Sequence, residues 1–389
     1  TCGMTSALRK TLAPVASGFD FVSRASAAIA RRLRPRATAS GYSSSVRFAV
    51  LFDGSVAALY QLKLWLPIFE KVGEPFDVII RNGDLVSHIK KMTKAPVHLV
   101  KHFEQVPNNR ALKLLFYVNN APYNSDAAKY PGIVHVQLLH GDSEKTASFN
   151  PATGMFTKIF VSGQAAVDRY ERNGVLIRKE KFVLVGRPQL ADIKVASKPA
   201  GKRKTVLIAP TWGGSADGEV YTSLGLAPSY TRELIRLGHR VVFRPHPFSH
   251  RDPSDRAIIE QVWELLKADG KDHLFGAAAE SERTVSQVVN LSDVLISDLS
   301  GIVSDWLYSL KPYLLVSMDE SPAKFTKRYP IAEGGHVLTQ KDSLTNELLN
   351  DDKALAAKRK KIRAYYIAGA DTQKADALFM KATKAILGK

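Results

Sequence analysis

The sequence holds a single cysteine, Cys2, in 389 residues. One thiol excludes an internal disulfide framework and any zinc site built on cysteines, and it favours a reducing compartment. No apolar run reaches the roughly 18 residues that a spanning helix needs. The ten histidines include no His-x-x-x-His pair on an expected helix, and no Asp-x-Asp suits Mg²⁺, so no metal or other cofactor is expected. The Gly-x-x-x-x-Gly-Lys-Ser/Thr loop of NTPases and the Gly-x-Ser-x-Gly elbow of hydrolases are both missing. Acids are short: 37 Asp and Glu face 55 Lys and Arg, a net charge of +18. Such an excess points to anionic partners: phosphate substrates, an anionic membrane or nucleic acid. A nucleic-acid binder interleaves aromatic and basic residues. Here the charge gathers at the N-terminal segment, residues 191–204 and the C-terminal tail, and no nucleic-acid partner is expected.

What is present reads as globular. Hydrophobic residues make up 45% and charged residues 24%, enough for a core, and the length suits two domains of about 100–200 residues each. The chain opens Thr1-Cys2-Gly3-Met4, and Met4 is expected to be the natural start. Residues 1–41 form a basic segment whose one acid is Asp20. Leu8, Leu12, Val15, Phe19, Val22, Ala25, Ile29 and Leu33 recur every three or four residues, the period of one helical face. Pro14 and Gly18 weaken its first half. With Arg31, Arg32, Arg34 and Arg36 beside the stripe, this basic amphipathic helix suits the interface of an anionic membrane. An ordinary packed helix and a transit peptide are the alternatives.

After residue 45, short apolar strands alternate with helices. Strands are expected at 47–52, 76–80, 96–100, 113–118, 133–138, 157–161 and 182–185, and then at 205–209, 240–244, 293–296 and 313–316. That alternation implies two doubly wound parallel sheets. The divisions are an N-terminal Rossmann-like domain over 42–190, a linker over 191–204, a second Rossmann-like domain over 205–350 and a basic helical tail over 351–389. In such folds ligands bind where strands end.

Four motifs fall at those ends. His140-Gly141-Asp142-Ser143-Glu144-Lys145 follows the strand at 133–138. A histidine titrating near neutrality suits a general base, Gly141 lets a substrate approach the backbone, and Lys145 can reach a phosphate. A loop histidine bonded to a carbonyl is the plainer alternative. Ala209-Pro210-Thr211-Trp212-Gly213-Gly214 can cradle an anion on its backbone N–H groups, although Gly-Gly is often only a turn. Arg244-Pro245-His246-Pro247 braces a histidine beside a guanidinium that can fork a phosphate. Ser297-Asp298-Leu299-Ser300-Gly301 opens a helix, a setting for an anion or for a simple N-cap.

In this order, over residues from about 130 to 320, the motifs resemble the CDP-glycerol glycerophosphotransferase family, which builds teichoic acid and related polymers. The matching residues are His140, Gly141 and Lys145; 209–212; 244–247; Asp298, Ser300, Gly301 and Asp305; and Leu310-Lys311-Pro312. Gly301 stands where the family has a second serine. The resemblance implies a GT-B fold, two Rossmann-like domains facing a cleft with the donor on the second. It implies metal-independent transfer of glycerol phosphate or another polyol phosphate from a CDP-polyol to a polyprenyl-linked glycan, with release of CMP. His140 and His246 would be catalytic. Arg244, Ser300, Gly301, Asp298, Thr211, Trp212, Lys145 and Gly141 would hold the donor phosphates, with Asp142 and Glu144 on the acceptor side. The family acts peripherally at the cytoplasmic face of the membrane. A GT-B glycosyltransferase using a nucleotide-sugar is the alternative.

Overall fold

The computed structural model describes residues 42, 44–103, 106, 111–139, 141–196, 201–213, 221–370 and 375–388. The basic segment carrying Arg31, Arg32, Arg34 and Arg36 lies outside the described residues, as does His140. Among the described residues no helix is long and apolar enough to cross a membrane.

Among the described residues, seven strands make the first sheet: β1 (Phe48–Phe52), β2 (Phe76–Ile80), β3 (Val97–Leu99), β4 (Leu114–Tyr117), β5 (Val134–Gln137), β6 (Lys158–Val161) and β7 (Phe182–Leu184). Their order is β3-β2-β1-β4-β5-β6-β7, with every neighbour parallel. β1, β2 and β4 are buried at every position. Continuous apolar runs form here because both faces of the sheet are covered, so no polar alternation is needed.

The second sheet holds β8 (Thr205–Ile208), β9 (Arg240–Phe243), β10 (Val294–Ser297), β11 (Tyr313–Val316) and β12 (His336–Leu338). Its order is β12-β11-β10-β8-β9, again parallel. β12 was not expected: it is three residues long, partly exposed, and preceded by Gly334-Gly335. Gly335 is fixed by close approach, because a Cβ there would lie 2.4 Å from the Tyr313 carbonyl oxygen.

In doubly wound sheets the crevice opens where the strand order reverses. The reversals fall between β1 and β4 in the first sheet and between β8 and β10 in the second. At both points a side chain ties the diverging loops. Asn119 donates to the Asp53 carbonyl at 2.8 Å, and Asp298 accepts from the Thr211 amide at 3.1 Å.

The C-terminal residues return across both sheets. Helix α1 (Gln164–Arg172) follows β6, and helix α2 (Gly301–Trp306) follows β10. Helix α3 (Lys353–Tyr366) starts from Asp352, whose side chain caps the Leu355 amide. It buries Arg359, Ile362, Arg363 and Tyr366, a stripe at helical spacing. Arg359 is therefore not surface charge. It donates to the carbonyls of Leu310 and Gly334 at 3.1 and 2.9 Å and pairs with Asp351. Helix α4 (Ala375–Leu387) packs Phe379 and Leu387 into the core of the first sheet, with Phe379 against Trp65, Phe69, Phe116 and Phe160. Burying one such phenyl ring contributes about 1.5–3 kcal/mol. Lys71 pairs with Asp376 at 2.7 Å at the edge of that contact.

Candidate functional site

The second-sheet side is organised around Asp298. This carboxylate is fully buried and accepts from the Thr211 amide at 3.1 Å and from the amide and hydroxyl of Ser223, each at 2.8 Å. Burial pushes its pKa up to about 6, opposed by the Ser223 bonds, by Lys145 and by the Thr211 amide. Asp298 thus fixes the turn after β8, and an ionised carboxylate in that place would repel a phosphate rather than bind it. Ser300 begins α2, and its side chain caps no backbone amide. Gly301 lies against the other half: a Cβ there would stand 3.3 Å from the Asp142 carbonyl oxygen. A serine there would press on that oxygen.

Lys145 crosses from the loop after β5 and donates to Thr211 Oγ1 at 2.6 Å. Burial pushes its pKa down, and Asp298 pulls it back up. A cation from the first half therefore sits on the β8 turn of the second, at the strand-order reversal.

His246 follows β9 between Pro245 and Pro247. Its Nδ1 accepts from the Phe248 amide at 3.1 Å, which leaves the ring proton on Nε2. Its own amide donates to the Pro210 carbonyl at 3.2 Å, so the β8 and β9 loops are joined. Trp212 stacks on the imidazole, with centroids 6.2 Å apart at 29°. Tyr60, from the first half, meets His246 edge-on at 6.4 Å and Phe248 at 6.0 Å. Tyr60 was not expected here, since nothing in the sequence around it marks it off from helix packing.

Arg244, expected as a phosphate fork, has its Nη1 on the carbonyls of Ala279 and Arg283. It clamps the 279–283 turn from behind His246. Glu280 of that turn accepts from His250 Nε2 at 2.6 Å.

On the first-sheet side, β5 runs into Leu139, whose φ is +57°. A non-glycine residue in the left-handed region costs on the order of 1 kcal/mol and collects at functional sites. The strain is held by Trp65, whose indole N–H donates to the Leu139 carbonyl at 2.7 Å. The strained residue immediately precedes His140. A Cβ on Gly141 would meet nothing within 4 Å, so internal packing does not require glycine there.

Asp142 and Glu144, expected on the acceptor side, converge on Arg169 of α1 at 2.5 and 2.9 Å. Ser162 donates to Asp142 at 2.5 Å, and Tyr366 of α3 donates to Glu144 at 2.7 Å. Below the loop is a cavity of about 30 Å³ lined in part by Trp65, Leu139, Gly141, Asp142, Ser162 and Arg187, room for a water or two. Arg187 pairs with Asp305 of α2 at 3.1 Å. The Tyr308 hydroxyl grips the Arg187 backbone on both sides, accepting from its amide at 2.9 Å and donating to its carbonyl at 3.2 Å. Arg169, Arg187 and Tyr366 carry no motif that sequence alone could have flagged. Among the described residues, no three His, Cys, Asp or Glu side chains are grouped to hold a metal ion.

Residues 187–380 match the sequence model of the CDP-Glycerol:Poly(glycerophosphate) glycerophosphotransferase family. Teichoic acid ribitol-phosphate polymerase TarK of Staphylococcus aureus is 25% identical over 222 residues, which cover 51% of this chain and 39% of TarK. The match therefore spans well under half of that relative. Among solved structures, the wall teichoic acid polymerase TagF superposes with a TM-score of 0.54 at 17% identity, covering 88% of this chain and 90% of that one. A TagF variant soaked with CDPG gives 0.57 at 15% identity, covering 90% and 91%. A putative UDP-N-acetylglucosamine 2-epimerase from Listeria monocytogenes gives 0.55 at 14%, covering 89% and 97%. At these identities the structural likeness speaks for the fold, which is GT-B.

Proposed function

Because the chain belongs to the CDP-glycerol:poly(glycerophosphate) glycerophosphotransferase family, we propose that it transfers glycerol phosphate, or a related polyol phosphate, from a CDP-alcohol to a hydroxyl of a polyprenyl-linked glycan. One observation carries the reading. The Lys145 ammonium of one half reaches Thr211 of the other at 2.6 Å, beside the braced His246, where a donor pyrophosphate would need positive charge and N–H donors.

The CDP-alcohol lies on the second half, its phosphates against the Thr211–Trp212 turn and the start of α2 at Ser300 and Gly301. His140 takes the proton of the acceptor hydroxyl as that oxygen attacks the β-phosphorus. The bond from this phosphorus to the bridging oxygen breaks, and CMP leaves. His246 offers Nε2–H to the phosphoryl oxygens, a role its Nδ1 bond to Phe248 favours. Lys145 pairs with the phosphates of the bound donor. Asp298 and Arg244 act from behind, fixing the two loops. Positioning and electrostatics supply most of the rate, as in other phosphoryl transfers, and this reading asks no metal of the site. The +18 net charge and the Arg31–Arg36 segment fit peripheral binding to an anionic membrane, at its cytoplasmic face.

The test is product analysis after incubation with CDP-glycerol and a polyprenyl-diphosphate disaccharide. An acceptor heavier by one glycerol phosphate, with matching CMP, is expected. Inertness toward both CDP-glycerol and CDP-ribitol, with turnover of a nucleotide-sugar, would replace this reading with a glycosyltransferase.

A further inference from the structure

Lys145 owes its place to the residues before it. Asp142 and Glu144 stand on either side of Ser143, and both carboxylates meet one guanidinium, Arg169, at 2.5 and 2.9 Å. Arg169 is completely buried. The second oxygen of Asp142 accepts from Ser162 at 2.5 Å. Glu144 accepts further from Tyr366 at 2.7 Å and pairs with Arg172 at 3.3 Å. Between them, the Ser143 amide donates to Ser148 Oγ at 3.1 Å. Lys145 is the next residue, in extended backbone at φ −80° and ψ 157°.

A buried arginine with two acids is a poor way to gain stability, since apolar residues of similar volume do as well or better. Such a cluster does fix geometry. We propose that Arg169 is the positioning residue of the 142–145 loop. It holds both carboxylates so that Lys145 arrives at Thr211, and Tyr366 ties that loop to helix α3. Helix α3 is itself anchored on the second half through Arg359, which bonds the carbonyls of Leu310 and Gly334. The loop is thereby referenced to the sheet that Lys145 must reach. The inference rests on the transferase reading, in which Lys145 meets the donor phosphates.

Three variants test it: Tyr366→Phe, Arg169→Lys and Lys145→Met, alone and paired. Tyr366→Phe removes one charge-assisted hydrogen bond and is expected to raise the KM for CDP-glycerol about five-fold, with kcat within about two-fold. Arg169→Lys replaces a two-pronged donor with a point charge and is expected to raise it further. In the Lys145→Met background, neither change should move KM by more than about 1.5-fold, because residues acting through one group are not additive. Effects that multiply in full in that background would overturn the proposal, since a merely structural role leaves them independent.

Amide exchange over residues 142–148 is read in parallel and needs no substrate. Faster exchange there in Tyr366→Phe, at an unchanged melting temperature, is expected. Unchanged exchange in that variant overturns the proposal even if Arg169→Lys fails to fold. A wild type inert toward every CDP-alcohol would sink the transferase reading, and the exchange measurement would then decide the positioning alone.

Discussion

The Lys145 ammonium lies 2.6 Å from the Thr211 hydroxyl, joining the loop after β5 to the turn after β8. The contact is half-buried, and burial holds the lysine's pKa below its ordinary value while Asp298 opposes the shift. A partly desolvated ammonium binds phosphate more strongly than one in water. Lys145→Met keeps the volume and removes the charge. It is expected to raise the KM for a CDP-alcohol by about ten-fold or more, with little change in melting temperature. Steady-state kinetics against donor concentration check this, and an unchanged KM would remove Lys145 from the donor site.

Gly163 is required by the C-terminal return of the chain. A Cβ on it would lie 2.5 Å from both the carbonyl carbon and the carbonyl oxygen of Tyr366 and 2.8 Å from the Ile367 amide. Backbone cannot yield as a flexible side chain does. Gly163→Ala is expected to cost about 3 kcal/mol, at the upper end for overpacking, and to displace the Tyr366 hydroxyl from Glu144. Urea unfolding checks the first effect. A variant as stable as the wild type would mean that α3 is looser than its contacts imply.

Burial pushes Asp305 up from 3.8 to about 6, with Arg187 opposing and Asp142 adding to the rise. The folded protein then holds a proton that the unfolded chain gives up. The stability this group contributes is fully present below about pH 4 and is lost as pH rises to about 6. Asp305→Asn lacks this titration. Whatever its absolute stability, the variant is expected to gain on the wild type by about 1–3 kcal/mol between pH 4 and pH 7. Urea midpoints at several pH values give the difference. A difference constant with pH would contradict the shift.

Much of this molecule was legible in its sequence. Strands at 76–80 and 313–316 fall where their apolar runs placed them, because a strand covered on both faces needs no other signal. His336–Leu338 was not legible: three residues, two of them half-buried, after two glycines carry no period. The tail read as basic and helical. Its Phe379–Thr383–Leu387 stripe, which buries α4, was outweighed by the neighbouring Lys358–Lys361 run, and Arg359 within that run is itself buried. At the site, the motifs stood out because each follows an apolar strand. What those residues touch did not. Arg244 bonds backbone carbonyls 35 and 39 residues away, and carbonyls leave no mark in a sequence. Asp142 and Glu144 were expected on the acceptor side, and nothing local marks their partner, because Arg169, which pairs with both, lies 27 and 25 residues downstream.

The most direct measurement is acceptor-dependent release of CMP from CDP-glycerol by the wild type, His140→Ala and His246→Ala. Release by the wild type is expected, falling by about 10²–10⁴-fold in His140→Ala, the range for loss of a proton-transfer group, and by about 10²–10³-fold in His246→Ala, the range for loss of a donor to developing charge. Both variants should keep the wild-type melting temperature. Wild-type rates in either variant would contradict the roles assigned to the two strand-end histidines. A wild type that releases no CMP from CDP-glycerol or CDP-ribitol would contradict the transfer itself.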